Sequence, residues 1–207
     1  MSNTVGSRET IPKILTARKN LVLNLRQNEF DILIGSMLGD GYITKLGRIQ
    51  IEQSEKQKEY LFWKYAMLKR ITSTRICSVA RQSKVLKKPT FSYRFWTRQF
   101  FRPWRNIFYP NGEKVLPMEI EKSLTPLALA VWFMDDGFLR KSNSIAISTD
   151  KFSDNDLLHL CKSLEYIYEI KPSIVKSKKL YFGVNATKGF IGVIKPFIIP
   201  SMRYKIP

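Results

Sequence analysis

FDILIGSMLGDG, residues 30–41, and TPLALAVWFMDDG, residues 125–137, decide how this 207-residue chain folds. Each stretch is apolar on nearly every side and ends in an acid and a glycine, which marks a buried helix and not a surface one. Asp40 and Asp136 stand 96 positions apart, and the offset recurs. Ile49 and Ile51, alternating with Arg48, Gln50 and Glu52 as a half-buried strand, map onto Ile145 and Ile147 in SIAIS. Leu61 and Leu68, at core spacing in a helix over 55–70, map onto Leu157 and Leu164. One recurring motif carries little weight; a shared offset across two helices and a strand indicates internal duplication.

Each copy reads helix, hairpin, helix, hairpin, helix. In the first, Asn28 suits an N-cap, with Glu29 and Asp31 in the first turn. Gly35 and Gly39, four apart, leave a bare strip where another backbone approaches closely. Gly41 fits the left-handed position that commonly ends a helix. A hairpin turning at Leu46-Gly47 follows, and a second spans 78–98. There Phe91, Tyr93 and Phe95 share one strand face, while Ser92, Arg94, Trp96 and Arg98 share the other. Residues 99–108 look helical but interrupted by Pro103, and Pro110, Gly112 and Pro117 mark the approach to a linker. The second copy opens with Thr125 as cap and Pro126 at the first helical position. Its interface candidates are Ala128 and Val131, and its last hairpin and helix are expected at 173–185 and 188–198. The fold expected is α+β: an arm or extra helix over 1–27, a first repeat over 28–116, a linker over 117–124 and a second repeat with a tail over 125–207.

Lys and Arg number 35 against 17 Asp and Glu, a formal charge of +18. Self-repulsion of that size implies a polyanionic partner, nucleic acid ahead of an anionic membrane surface. Cys77 and Cys161 form no ligand-spaced set and read as reduced thiols. His159 is the only histidine, which argues against His-rich zinc chemistry and a Ser-His-Asp triad. No apolar run approaches the ~20 residues that span a bilayer, and the first ten residues lack an apolar signal core. An intracellular, non-secreted protein without a membrane span is expected, with an organellar transit peptide left open.

The bases are unevenly spread. Residues 60–112 hold no acid and twelve bases; residues 170–207 hold no acid and eight. Both stretches contain the second hairpin of their repeat. Two basic sheets related by pseudo-symmetry suit double-stranded DNA, with phosphates dominating a salt-sensitive affinity. The candidate contacts are Lys45, Arg48 and Gln50 on the first hairpin, and Arg81, Lys84, Lys87, Lys88, Arg94, Trp96 and Arg98 on the second. In the second repeat they are Arg140, Lys141, Lys176, Lys178 and Lys179. Polar and aromatic members of this set are placed to reach base edges.

Asp40 and Asp136 each sit at the C-terminal end of a helix, the wrong end for an anion. If the two helices pack along their small faces, the carboxylates also approach each other and need a cation. Oxygen ligands without Cys or His favour Mg²⁺, with Ca²⁺ or Mn²⁺ as substitutes. Gly39 and Asp135, one before each acid, complete the candidate metal set, Asp135 through its backbone carbonyl or else pairing locally. With phosphate present, this layout suits metal-assisted phosphodiester hydrolysis.

LIGSMLGDG and LAVWFMDDG resemble the two motifs of a single-chain LAGLIDADG homing endonuclease, and IKPFIIPSMRYKIP, residues 194–207, adds to the likeness. The resemblance covers about residues 29–207. It implies two pseudo-symmetric αββαββα units packed through their motif helices, with antiparallel β-saddles on DNA and one chain acting as a monomer. It also implies Mg²⁺-dependent cleavage of both strands at a long, rare site, promoting intron mobility, with Asp40 and Asp136 as catalytic, metal-binding acids. Lys114 in GEKVLP and Lys205 in RYKIP occupy matching places as assisting lysines, and Glu52 is a candidate to orient water. Val131 stands where the family has glycine, which implies looser packing there. The alternatives are a related RNA maturase acting on intron RNA and an inactive DNA-binding relative.

Overall fold

The computed structural model describes residues 10–82, 89–140, 142–175 and 178–207. The expected arm or extra helix contains instead an antiparallel hairpin, β1 (Ile14–Thr16) and β2 (Val22–Asn24). Lys19 and Asn20 make its turn with left-handed backbone, φ 61° and 56°. The apolar residues there follow a period of two: Leu15, Leu23 and Leu25 are buried while Ile14 and Val22 are exposed. That periodicity suits a strand, not a helix.

The duplicated order is as expected. The first unit runs α1 (Gln27–Leu38), β3 (Tyr42–Ile43), β4 (Ile49–Ser54), α2 (Lys58–Leu68), β5 (Cys77–Gln82), β6 (Pro89–Trp96) and α3 (Arg102–Phe108). The second runs α4 (Pro126–Asp136), β7 (Gly137–Leu139), β8 (Ile145–Ser148), α5 (Asp154–Tyr168), β9 (Ser173–Val175), β10 (Lys179–Phe182) and α6 (Val184–Ile194). Each unit forms a four-stranded antiparallel sheet, ordered β3-β4-β6-β5 and β7-β8-β10-β9. Ile51 lies opposite Phe95 and Ile147 opposite Leu180. Equivalent positions therefore stand 96 apart on β4 and β8 but 85 apart on β6 and β10, because the second hairpin is shorter in the second unit.

Several boundaries differ from expectation. α1 begins at Gln27, and its first turn is closed by Glu29, whose carboxylate accepts from the Arg26 N–H at 2.9 Å, so Asn28 is not the N-cap. Pro103 is the second residue of α3, where no N–H is required, so it starts the helix and does not interrupt it. α6 begins four residues earlier than expected and passes into a 3₁₀ turn at Lys195. Thr125 caps α4 as expected, its hydroxyl accepting from the Ala128 N–H at 3.2 Å. Of the shared face of β6, only Phe95 is buried; Phe91 is 46% exposed beyond the cover of α2.

α1 and α4 pack side by side at the centre of the molecule. A Cβ added to Gly35 would lie 2.4 Å from the Ala128 carbonyl oxygen and 2.6 Å from Val131 Cβ, and one added to Gly39 would lie 2.6 Å from Asp135 Cβ. Val131 and Asp135, one turn apart on α4, fill the space that the α1 glycines leave. The bulk at Val131 therefore does not loosen the interface; it is matched by glycine on the partner helix. Gly41 is not left-handed. Its N–H donates to Ser36 O at 2.6 Å, and a Cβ there would come within 2.6 Å of the same oxygen.

Candidate active site

The packing of α1 on α4 brings their C-terminal ends together, with Asp40 just beyond one and Asp136 the last residue of the other. The Asp40 side chain is 41% exposed; its Oδ2 accepts from Gln53 Nε2 at 3.2 Å, and Lys151 Nζ lies 3.9 Å from Oδ1. Gln53, on the covered face of β4, also donates to Asp135 Oδ1 at 3.0 Å. Asp135 turns inward and away from solvent. Its oxygens lie 2.7 and 2.9 Å from Lys64 Nζ, and both side chains are fully buried. Burial pushes this carboxyl up and the Lys64 ammonium pulls it down; at these distances the geometry is that of an ion pair. The Asp40 N–H points at Asp135 Oδ2, 3.4 Å away.

Each motif helix ends against a lysine. Lys114 Nζ donates to Gly39 O at 2.8 Å and Gly41 O at 3.3 Å; Lys205 Nζ donates to Met134 O at 2.6 Å and Asp135 O at 3.0 Å. A cation at the negative helix terminus is favourable, so the two lysines offset the misplaced acids. The backbone carbonyls of Gly39 and Asp135, offered to metal by the sequence, are held by these ammoniums here. Burial, then the neighbouring Lys151 ammonium, pushes Lys114 down to about 8. Burial lowers Lys205 as well.

Burial, followed by repulsion from Asp40 and Asp135, pushes Asp136 up to about 7. Between its unfolded value near 4 and that value, the folded chain holds a proton that the unfolded chain has released. Stability contributed by protonated Asp136 is thus complete below pH 4 and lost as pH rises through about 7. Urea titrations in EDTA at pH 5 and pH 8 are expected to show Asp136→Asn flattening this loss, with the variant's advantage over wild type confined to the higher pH. An equal difference at both values would count against the assignment.

Among the described residues no three His, Cys, Asp or Glu side chains cluster as a complete protein-only metal site. Mg²⁺ commonly uses one or two carboxylates together with water and substrate phosphate, which is the donor set that Asp40 and Asp136 supply. The proton forced onto Asp136 marks a place where positive charge is wanted. The residues fit a hard divalent cation.

Glu52 lines the same cleft as Asp40, with its carboxylate engaged by groups on the neighbouring strands. Its Oε1 accepts from Arg81 Nη1 and from Ser92 Oγ at 2.6 Å, and Arg94 Nη1 lies 3.8 Å from Oε2. The Arg81 hydrogen bond is the largest of the effects that hold its carboxyl below the usual range. Other expected contacts fall on the uncovered sheet faces. Gln50 lies between Tyr42 and Trp96 across three strands, and the Arg94 guanidinium stacks 4.7 Å from the Trp96 ring. Arg48 is half-buried and Lys45 exposed at the hairpin turn. On the second sheet Arg140 stacks on Tyr181 at 4.9 Å, Lys179 lies 5.6 Å from the Phe138 ring, and Lys178 sits 3.9 Å from Asp154. Arg98 lines a cleft beside the N-terminal hairpin, away from these faces. Lys84, Lys87, Lys88, Lys141 and Lys176 lie outside the described residues.

Gln53, Lys64 and Lys151 were not among the expected site residues. Lys64 carried a signal: it lies three after Leu61 and four before Leu68, on the core stripe of α2. Lys151 carried none.

Residues 30–190 match the LAGLIDADG DNA endonuclease family. The chain is 29% identical to a cytochrome b mRNA maturase bI2 of Debaryomyces hansenii, over 98% of this chain and 83% of that protein. It is 30% identical to the Saccharomyces cerevisiae maturase of the same name, over 93% of this chain but only 51% of that one, so it spans about half that relative's length. It is 32% identical to the DNA endonuclease I-ChuI of Chlamydomonas applanata, over 89% of this chain and 96% of that one. Its fold is that of the homing endonuclease I-WcaI, solved bound to its DNA recognition sequence, with a TM-score of 0.79, 24% identity and coverage of 88% and 87%. The duplicated units, the glycine-matched motif helices and the acids at their paired ends thus have a common origin: the chain is a member of the LAGLIDADG DNA endonuclease family.

Proposed function

We propose that this chain is a sequence-specific endonuclease that cuts both strands of a long DNA duplex by Mg²⁺-dependent phosphodiester hydrolysis, promoting the mobility of an intron. The observation that carries the reading is the pairing of Asp40 and Asp136 at adjacent helix ends, with Lys114 and Lys205 hydrogen-bonded beside them. A bound divalent cation would supply an activated water and charge stabilisation at the leaving oxygen. Asp40 and Asp136 would hold it. Gln53 fixes the Asp40 side chain, and Lys114 and Lys205 place positive charge where a scissile phosphate would lie. The basic outer faces of both sheets would track the flanking phosphates. Both halves of the site come from one chain, so a monomer suffices.

Incubating the protein with a library of intronless target sequences, in Mg²⁺ and in EDTA, tests this. Defined double-strand ends are expected with Mg²⁺ alone; their absence across the library would sink the proposal. The two cytochrome b mRNA maturases among the relatives favour a second reading, assistance to intron RNA splicing. Faster splicing of an intron transcript by a protein that leaves no DNA ends would support that reading over the first.

A further inference from the structure

We infer that Glu52 sets the base preference of one subsite on the first sheet by fixing Arg81 and Arg94, and that this subsite takes a guanine. The inference rests on the DNA-binding part of the proposed function. A carboxylate amid bases repels the phosphates such a face would meet, so its presence needs a compensating role. Glu52 lies on the uncovered face of β4, directly opposite Arg94 on β6. Its Oε1 accepts from Arg81 on β5 and from Ser92 at 2.6 Å; its Oε2 is 3.3 Å from Gln50 Nε2 and 3.8 Å from Arg94. Arg81 Nη1 also donates to Ser92 Oγ at 2.9 Å, and Arg94 is held from the other side by the Trp96 ring.

A free arginine loses much rotamer freedom when it docks; these two are already ordered. One acid occupies only part of each five-donor fork. Arg81 remains 52% exposed and Arg94 30%, so neither is closed off from a ligand on this face. Two parallel N–H groups match the O6 and N7 acceptors of guanine in the major groove, the commonest specific pairing for arginine. A mobile arginine would spend part of its time on phosphates, which carry no sequence information. Holding the pair to Glu52 withdraws them from that competition.

Among the described residues the second sheet lacks this device. Ser148, equivalent to Glu52, lies opposite Lys179, equivalent to Arg94, and that lysine sits near Phe138. A serine anchors no cation, and an ammonium is a point charge without a planar fork. Discrimination should therefore be stronger in the half-site under the first sheet.

The test is repeated selection of bound sequences from a randomised duplex library in Ca²⁺, comparing wild type with Glu52→Gln. Wild type is expected to enrich guanine at one or two fixed positions in one half-site. In the variant that enrichment falls roughly 5- to 100-fold, other positions keep theirs, and non-specific DNA is bound as tightly or more so. An unchanged consensus overturns the inference, as does a uniform loss of preference along the site, which would indicate structural damage. Wild type that binds duplex without base preference overturns it too. No binding to any duplex removes the DNA-binding reading itself, and this inference with it.

Discussion

Asp40→Asn and Asp136→Asn are each expected to stop double-strand cleavage while leaving DNA binding in Ca²⁺ largely intact. The change keeps the shape of each side chain and, at Asp40, an acceptor for Gln53, so the fold has no reason to move. What it removes is charge. A cation held by one carboxylate and a neutral amide is bound more weakly, and the transition state loses several kcal/mol of stabilisation. Each ~1.4 kcal/mol is tenfold in rate, so cleavage should fall by at least about two orders of magnitude. The two variants should nevertheless differ in stability. Asp136 is half-buried beside two other acids, so Asp136→Asn relieves their repulsion; Asp40 is 41% exposed and its change should leave the fold nearly unaltered. Time courses on a supercoiled target would follow nicked and linear product separately. Either variant cutting both strands at the normal rate would show that its acid is not catalytic.

What the sequence made legible, and what it did not, follows from how local each signal is. The motif helices were readable because their apolar runs, caps and terminal acids lie within a dozen residues, and because the copy at a fixed offset separated them from chance. The interface was half readable. Gly35 and Gly39 declared a bare strip, but that Val131 and Asp135 fill it depends on which residues of α4 face α1. That is a property of two helices and not of either string. The N-terminal hairpin was missed because its strands are three residues each, and alternation over so short a span competes poorly with a basic, polar composition. The partners of Glu52 were missed for a related reason. The strand pattern put it on the correct face, but its partners are 29 and 42 positions further on, brought near only by sheet register. The constellation of Gln53, Lys64 and Asp135 joins a strand and a helix of one repeat to the motif helix of the other, and no offset encodes that.

That constellation yields the largest expected effect on stability. Lys64→Met removes the cation from a fully buried pair and leaves Asp135 facing Gln53, the Asp40 N–H and the Tyr60 hydroxyl. Breaking a buried pair from one side costs about 3–5 kcal/mol, because an uncompensated charge stays inside. Asp135 can escape that cost only by taking a proton. In the variant its carboxyl loses the strongest of the neighbours that pull it down and keeps only the Tyr60 hydroxyl, so burial raises it further above its unfolded value. The native state then holds a proton the unfolded chain lacks, and stability is lost as pH rises. The destabilisation measured by urea unfolding should accordingly be larger at pH 8 than at pH 5. Adding Asp135→Asn in the same chain removes the charge while keeping an acceptor for Gln53. It should recover most of the loss and abolish the pH dependence, since neutral partners in a dry site need no counter-ion. A Lys64→Met protein within about 1 kcal/mol of wild type at both pH values would mean that the pair is not what holds α2 and β4 of one repeat to α4 of the other.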